Sequence, residues 1–259
     1  MRFGLVFLLI RNPMARLFFS VVFLLLSVSC PAQVVEVAVA ANFAAPMKQI
    51  ASSFELASGY KIALSVGATG KFYAQIKNAA PFDILLSADQ ITVRKLAQEQ
   101  FADASTQFTY ATGKLVLWSA APGLVDAQGT VLKSGHFAHI AIASPSQAPY
   151  GAAAIETLKS LHLTEQITPR IVQGESIGQT YAFVATGNAE LGFVALSQVW
   201  NNGQIQSGSA WMVPENLYTP IHQDAILLRH GEDNQAALAL LAWLKSDAAK
   251  KIIHAYGYD

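Results

Sequence analysis

Residues 34–43 read VVEVAVAANF, and this stretch decides the fold. Its first seven residues are rich in valine and alanine, which is typical of a buried β-strand. A short turn follows, and residues 46–57 then carry apolar side chains at helical spacing, namely Met47, Ile50, Ala51 and Phe54. A buried strand that leads at once into an amphipathic helix is the repeating unit of a parallel α/β sheet.

The same alternation of strand and helix patterns continues along the rest of the chain. Further strands are predicted at 60–66, 82–86, 114–119, 139–143, 170–172, 191–196 and 225–228. Further helices are predicted at 71–79, 93–100, 151–161 and 177–186, with a long helix or a pair of helices at 235–256. The pattern therefore predicts an α/β fold with mostly parallel strands.

The first 32 residues have the character of a secretory signal. Residues 17–29 read LFFSVVFLLLSVS behind Arg16, a length typical of a signal-peptide apolar region and shorter than the roughly 17–25 residues that span a bilayer. We predict a signal peptide at 1–32 that leaves Gln33 as the first mature residue. Met14 is an alternative start, and lipid attachment through Cys30 is the alternative to cleavage.

Residues 33–259 are mildly acidic and contain no cysteine. The chain has 17 basic and 17 acidic residues, but three of the arginines lie in residues 1–32, so that 14 basic residues remain and the net charge is −3. A nucleic-acid-binding surface needs an excess of basic residues, so we expect no nucleic-acid partner. The lack of cysteine excludes a disulfide scaffold and a thiolate metal site in this part of the chain.

Four junctions between a predicted strand and the next helix share one composition. They are residues 40–43 (AANF), 67–70 (GATG), 144–151 (SPSQAPYG) and 173–178 (QGESIG), and none contains Lys, Arg or His. Parallel sheets bind ligands at the carboxyl ends of their strands. The unpaired N–H groups of a helix start can hold an anion without any cationic side chain.

The candidate donors at these junctions are all neutral. Asn42 offers an amide, Thr69 a hydroxyl, and Tyr150 either its phenol or its backbone N–H. Backbone N–H groups are the only donors expected from Ala41, Ala68 and Ile177. Ordinary helix capping is the alternative explanation of such residues, so the pattern alone predicts at most an anion site.

Six segments stand in order along the chain, namely VEVAVAANF (35–43), SVGATGKFYAQI (65–76), PFDILLSADQ (81–90), SPSQAPYG (144–151), GES (174–176) and ELGFVALS (190–197). Together they resemble the periplasmic molybdate-binding proteins of ABC importers. The resemblance covers nearly all of residues 34–257, and FDILLSAD at 82–89 is its most characteristic part.

The resemblance implies a two-lobed periplasmic binding protein fold, with a mostly parallel sheet flanked by helices in each lobe. Two hinge strands, 114–119 and 224–228, would cross between the lobes. Lobe 1 would comprise residues 33–117 plus 225–259, and lobe 2 residues 118–224. The ligand would be enclosed between them.

The same resemblance assigns contacts to the molybdate oxygens to Asn42, Thr69, Tyr150 and Ile177, with no side chain bound to the metal itself. Some members use a tyrosine after the segment that reads ELGFV here. This chain has Ala195 at that place, which makes the Tyr150 phenol a candidate replacement.

The implied function is an exported, monomeric periplasmic receptor that delivers molybdate, and also tungstate, to the membrane permease of an ABC importer. No cofactor is expected, since molybdate is the cargo. A receptor for sulfate, another small oxyanion or an organic acid remains the alternative. The four junctions hold no histidine and no carboxylate pair, so we do not expect an enzyme.

Overall fold

The computed structural model describes residues 33–259. The predicted signal peptide at 1–32, the alternative start at Met14 and the alternative lipid site at Cys30 therefore lie outside the described residues. No helix among residues 33–259 combines the length and the apolar character needed to cross a membrane.

The strands follow the chain in this order: β1 (Val34–Ala40), β2 (Lys61–Gly67), β3 (Ile84–Leu86), β4 (Ala102–Gly113), β5 (Leu115–Ser119), β6 (Ile140–Ala143), β7 (Ile171–Gly174), β8 (Leu191–Ala195), β9 (Trp200–Asn201), β10 (Gln204–Ile205), β11 (Ser209–Met212) and β12 (Ile221–Leu228).

The α-helices are α1 (Ala44–Ser58), α2 (Thr69–Lys77), α3 (Gln90–Gln98), α4 (Val131–Ser134), α5 (Pro149–Ser160), α6 (Thr164–Ile167), α7 (Ile177–Ala185), α8 (Leu196–Val199), α9 (Gln235–Leu244) and α10 (Asp247–Ala255). Short 3₁₀ turns are found at Ala41–Phe43, Thr168–Arg170, Glu215–Leu217 and Arg229–Gly231.

Two five-stranded sheets form the scaffold of the described part of the chain. The first has the order β2-β1-β3-β12-β4 and the second the order β11-β5-β8-β6-β7. Strands β12 and β5 run antiparallel to both of their neighbours, and the other pairings within these sheets are parallel. The predicted two-lobed α/β fold is confirmed, with the first lobe built around the first sheet and the second lobe around the second.

The chain passes between the sheets at two places. It leaves the first sheet at the end of β4 and enters the second at β5 after the single residue Lys114. It returns over residues 213–220, between β11 and β12. Strands β5 and β12 thus adjoin the two passages. The finer division into 33–117 plus 225–259 and 118–224 stays a prediction.

Each sheet is covered by apolar side chains on both faces, which explains why its central strands read as unbroken apolar runs. On β1, Val35, Val37 and Val39 share one apolar cluster with α1, while Ala38 belongs to a second cluster with Phe72 and Leu96. The same alternation places residues of β5 in two clusters on opposite faces of the second sheet.

The sequence analysis missed β4, which it left without an element between 100 and 114. The strand reads ADASTQFTYATG, and much of it is only partly buried or exposed, so it lacks the apolar run that marks the other strands. The predicted helical region at 235–256 is a pair of helices. They separate at Lys245 and Ser246, where the Ser246 hydroxyl caps α10 by accepting from Ala249 N at 3.3 Å.

Truncation of the buried Leu96 tests the packing of the first lobe. Leu96→Ala is expected to lower the free energy of unfolding by about 2–5 kcal/mol, because it removes buried methyl groups and leaves a cavity. Leu56→Ala is the matched control, since Leu56 is 89% exposed and Leu96 is 0% exposed. Urea denaturation measures both variants, and equal losses would contradict the described core.

Candidate oxyanion-binding site

The four junctions meet between the two lobes. A Cβ built on Gly178, at the start of α7, would lie 3.3 Å from the Cβ of Ala41 in the first lobe. The Gly70 N–H, in the first turn of α2, donates to the carbonyl of Gln147 at 2.9 Å. Each contact joins one junction of the first lobe to one of the second. The structure therefore brings together the segments that the sequence analysis grouped by composition.

An ion pair lies at the edge of the contact between the two lobes. Lys71 of α2 pairs with Glu175, which lies just before α7. Both side chains are substantially exposed, and exposed pairs contribute little free energy. The pair joins Glu175, which lies within the fourth junction, to Lys71, which follows the second.

Asn42 lies in the 3₁₀ turn after β1 and is 2% exposed. Its Nδ2 donates to Gln223 Oε1 at 2.7 Å and to Tyr258 Oη at 3.0 Å. Its Oδ1 is buried and has no hydrogen-bond partner. One end of the amide is thus held by the protein, and the other end is available to a ligand.

Thr69 is the first residue of α2 and is 2% exposed. Its Oγ1 accepts a hydrogen bond from the Ala88 N–H at 3.0 Å. Because a hydroxyl carries one proton, this bond leaves Thr69 able to donate to a further acceptor. Ala68 precedes it as the extended N-cap residue and is also buried.

Tyr150 is the second residue of α5 and is 1% exposed. Its Oη accepts from Gln223 Nε2 at 3.1 Å, so that Gln223 links Tyr150 to Asn42. The phenol fits because residue 113 is glycine. A Cβ on Gly113 would overlap Tyr150 Oη and lie 2.5 Å from Gln223 Nε2.

The start of α7 presents backbone N–H groups. Ser176 caps the helix by accepting from Gln179 N at 3.3 Å, and the Ile177 carbonyl accepts from Gln198 Nε2 at 3.0 Å. The first N–H groups of a helix have no intrahelical partner, which leaves Ile177 able to donate. Ala41, opposite this helix start, is buried as well.

Sequence analysis missed four polar residues that support the site, namely Gln223, Tyr110, Tyr258 and Ser197. Gln223 accepts from Tyr110 Oη at 3.0 Å. The Tyr258 Oη lies 2.9 Å from both the Asn42 carbonyl and Ser197 Oγ. The one available signal was Gln223-Asp224 next to a strongly apolar segment, and the predicted strand at 225–228 began just after it.

Burial dominates the electrostatics of this network. It raises the pKa of Tyr258 to about 12, and it raises the pKa values of Tyr110 and Tyr150 well above that of an ordinary tyrosine. The phenols are therefore neutral hydrogen-bonding groups at physiological pH. The carboxylate of Asp83 is not part of this network. Asp83 precedes β3, at the end of the strand away from Ser87 and Tyr110, and its carboxylate accepts from Glu36 N and Asn234 Nδ2.

A surface cavity borders two of the junctions, with Gly70 and residues 145–149 in its wall. It has a volume of about 430 Å³ and is lined in part by Asp89, Arg94, Glu156 and His222. Both charge signs occur on its walls, whereas the candidate donor residues at the junctions are neutral. Within residues 33–259, no group of three or more His, Cys, Asp or Glu residues is arranged to hold a metal ion.

The raised pKa of Tyr258 predicts a loss of stability at high pH. Folding favours the protonated phenol, so this contribution is complete below about pH 10 and is lost as the pH rises towards about 12. Urea denaturation at a series of pH values should show a steeper decline for the unmodified protein than for Tyr258→Phe. The two curves should run parallel between about pH 7 and 9, and equal slopes above that range would contradict the assignment.

The fit between Gly113 and Tyr150 predicts coupled mutations. Gly113→Ala alone should destabilise the protein by about 1–3 kcal/mol, because the new methyl group overlaps the phenol oxygen. Tyr150→Phe removes that oxygen and should recover part of the loss. A double-mutant cycle by thermal or urea unfolding measures the coupling, and strictly additive effects would contradict the contact.

Comparison with known proteins places the chain in a family. A family model described as bacterial extracellular solute-binding protein matches residues 35–259. The molybdate-binding protein ModA of Azotobacter vinelandii is 56% identical over 90% of this chain and 93% of that protein. ModA of Rhodobacter capsulatus is 48% identical over 91% of this chain and 92% of its own length.

A solved structure shares the fold over most of the described residues. The periplasmic molybdate-binding protein of Azotobacter vinelandii superposes with a TM-score of 0.84 at 42% identity, covering 87% of this chain and 98% of that one. The relatives are binding proteins, and this chain is a receptor rather than an enzyme. The chain belongs to the bacterial extracellular solute-binding proteins, in one family with the molybdate-binding proteins of these two organisms.

Proposed function

We propose that this protein binds molybdate between its two lobes through neutral hydrogen-bond donors and delivers it to the membrane permease of an ABC importer. The observation that carries the proposal is the meeting of Asn42, Thr69 and Tyr150 with the start of α7, all buried and none charged. Relatives at 56% and 48% identity are molybdate-binding proteins.

The chemistry of the junctions suits a full dianion. Molybdate is fully deprotonated at neutral pH and can only accept hydrogen bonds. Helix starts supply N–H groups and a favourable dipole. The Thr69 hydroxyl accepts a hydrogen bond from Ala88 N, so its own proton is still available to donate. The start of α7 faces Ala41 across the cleft, so a ligand there would contact both lobes and favour the closed form.

Tungstate has the same charge and tetrahedral shape, so we propose that it binds as well. A proton on phosphate needs an acceptor. Asn42 Oδ1 is the unpaired acceptor described at these junctions, so discrimination against phosphate depends on which end of the Asn42 amide faces the ligand. Sulfate and other small oxyanions remain a second candidate on chemical grounds, but the similarity to molybdate-binding proteins does not favour them. No metal or nucleotide is required, because molybdate is the cargo and its oxygens make the contacts.

We further propose that the mature protein is a monomer in the periplasm, and that residues 1–32 direct its export. ModA relatives include a periplasmic molybdate-binding protein, and the basic, apolar start of the chain has the pattern of a secretory signal.

Calorimetry against molybdate, tungstate, sulfate and phosphate tests the ligand. Purified protein should bind molybdate and tungstate tightly at one site without added metal or nucleotide. A lack of binding to all four anions would refute the proposal, and a preference for sulfate would move it to the second candidate.

Substitution of the two predicted side-chain donors tests the site. Asn42→Ala or Thr69→Ala should each weaken molybdate binding by about 1–3 kcal/mol, the effect of losing one partner of a buried charged acceptor. Asn78→Ala and Thr186→Ala are matched controls, since both residues are exposed. Unchanged affinity in both site variants would refute the proposed contacts.

A further inference from the structure

Two buried amides face one another beside the proposed site. Asn42 is 2% exposed and Gln223 is 0% exposed, and Asn42 Nδ2 lies 2.7 Å from Gln223 Oε1. The other atom of the Gln223 amide, Nε2, contacts Tyr150 Oη. The other atom of the Asn42 amide, Oδ1, has no partner.

The two amides can only turn together. Turning an amide by half a revolution exchanges its oxygen and its nitrogen in nearly the same space. If Asn42 turned alone, two oxygens would face each other at the 2.7 Å contact, and if Gln223 turned alone, two NH₂ groups would meet there. The orientation of Gln223 therefore determines the orientation of Asn42.

In the described arrangement, the Asn42 amide presents its oxygen, an acceptor, on the side away from Gln223 and Tyr258. Asn42 uses both N–H protons on Gln223 and Tyr258, and its Oδ1 is left unpaired. A full dianion cannot donate to Oδ1 and would be repelled by it. A ligand that carries a proton would suit this arrangement.

The turned arrangement keeps the hydrogen bonds of Gln223 with the opposite polarity. Gln223 Nε2 would donate to Asn42 Oδ1 and to Tyr110 Oη, and Tyr110 would donate to the Ser87 carbonyl, which already lies 3.1 Å from its hydroxyl. Tyr150 would donate to Gln223 Oε1, across the contact that now joins Tyr150 Oη to Nε2.

Tyr258 completes the turned arrangement. It would donate its one proton to Asn42 Oδ1, across the 3.0 Å contact that now joins it to Nδ2. That proton would no longer serve the Asn42 carbonyl or Ser197 Oγ, and the carbonyl would keep only the hydrogen bond from Ser197 Oγ. The bound anion has to offset this lost hydrogen bond. The Asn42 NH₂ group would then occupy the unpaired position, where it can donate to an anion. The Tyr150 phenol would be engaged by Gln223, so that Tyr150 would serve the ligand through its backbone N–H.

We propose that Gln223 is a positioning residue that sets whether Asn42 presents an acceptor or a donor to the ligand, and that a fully deprotonated oxyanion stabilises the turned pair. This inference rests on the proposed function, because it assigns the ligand to the unpaired end of Asn42. It makes the discrimination between deprotonated and protonated oxyanions a property of Gln223 as well as of the contacting residues.

Nuclear magnetic resonance on the isotope-labelled, otherwise unmodified protein tests the orientation directly. Without ligand, the Gln223 NH₂ protons should show Overhauser contacts to Tyr150. With saturating molybdate they should show contacts to Tyr110 instead, because Nε2 then occupies the present position of Oε1. Contacts that stay with Tyr150 in the molybdate complex would overturn the inference while leaving molybdate binding intact.

Two substitutions give an independent test by competition binding. In Gln223→Glu the ionised carboxylate only accepts, which fixes Asn42 Nδ2 towards residue 223 and Oδ1 towards the ligand. Because residue 223 is 0% exposed and burial favours the protonated carboxyl group, carbon-13 NMR of the substituted side chain first establishes that it is ionised at the assay pH. Gln223→Met has a similar length without either polar group, and leaves Asn42 free to turn. The readout is the ratio of molybdate to hydrogen phosphate affinity at about pH 8, where phosphate is mainly a dianion that still carries one proton.

The added charge of Gln223→Glu acts on both dianions, so it cancels in this ratio. We expect the ratio to fall by about tenfold or more in Gln223→Glu, and to stay within about threefold of the unmodified protein in Gln223→Met. Equal ratios in the two variants would overturn the inference. If the unmodified protein bound no molybdate, both the proposed function and this inference would fail.

Discussion

The Asn42 carbonyl joins the two lobes, and the geometry of the proposed site depends on it. Ser197 Oγ, at the start of the second lobe's α8, donates to this carbonyl at 2.7 Å, and Tyr258, near the C-terminus, lies within 2.9 Å of it. The turn after β1 is therefore held from two directions. Phe43 adds apolar support, because its ring packs against Tyr110 and Tyr258 at centroid distances of 4.6 and 5.5 Å.

Local hydrogen-bond donors, held in place by this anchoring, would let an acidic protein bind a dianion at the proposed site. The net charge of residues 33–259 is −3, so long-range attraction does not favour an anion. Local groups act instead: helix starts with unpaired N–H groups, and neutral side chains held in place by hydrogen bonds to their neighbours. The Thr69 hydroxyl is an example, since it accepts one hydrogen bond from Ala88 N and still has its proton to donate.

The sequence predicted the central strands well because they are buried on both faces. The valines and alanines of β1 form an apolar run that only Glu36 interrupts. Such a run is typical of a buried strand. Strand β4 was missed because an edge strand with partly exposed Ser, Thr and Gln carries no such pattern. The grouping of two junctions within each sheet was predictable, because parallel strands end at the same edge of a sheet. The meeting of the two pairs across the lobes followed only from the family resemblance.

The supporting network was not predictable, because its members come from distant parts of the chain. Asn42 and Gln223 are 181 positions apart, and Asn42 and Tyr258 are 216 apart. No local spacing reveals such pairs, and a lone Gln in an apolar strand is compatible with many structures. The room for Tyr150 likewise depends on Gly113, whose role appears only when the strands are assembled.

Anomalous scattering from molybdenum in a crystal of the complex would locate the ligand directly. We expect a single molybdenum position between Asn42 and the start of α7, with its oxygens in contact with neutral donors from both lobes. A molybdenum position in the neighbouring cavity beside Arg94 and His222, with the junctions unoccupied, would contradict this expectation.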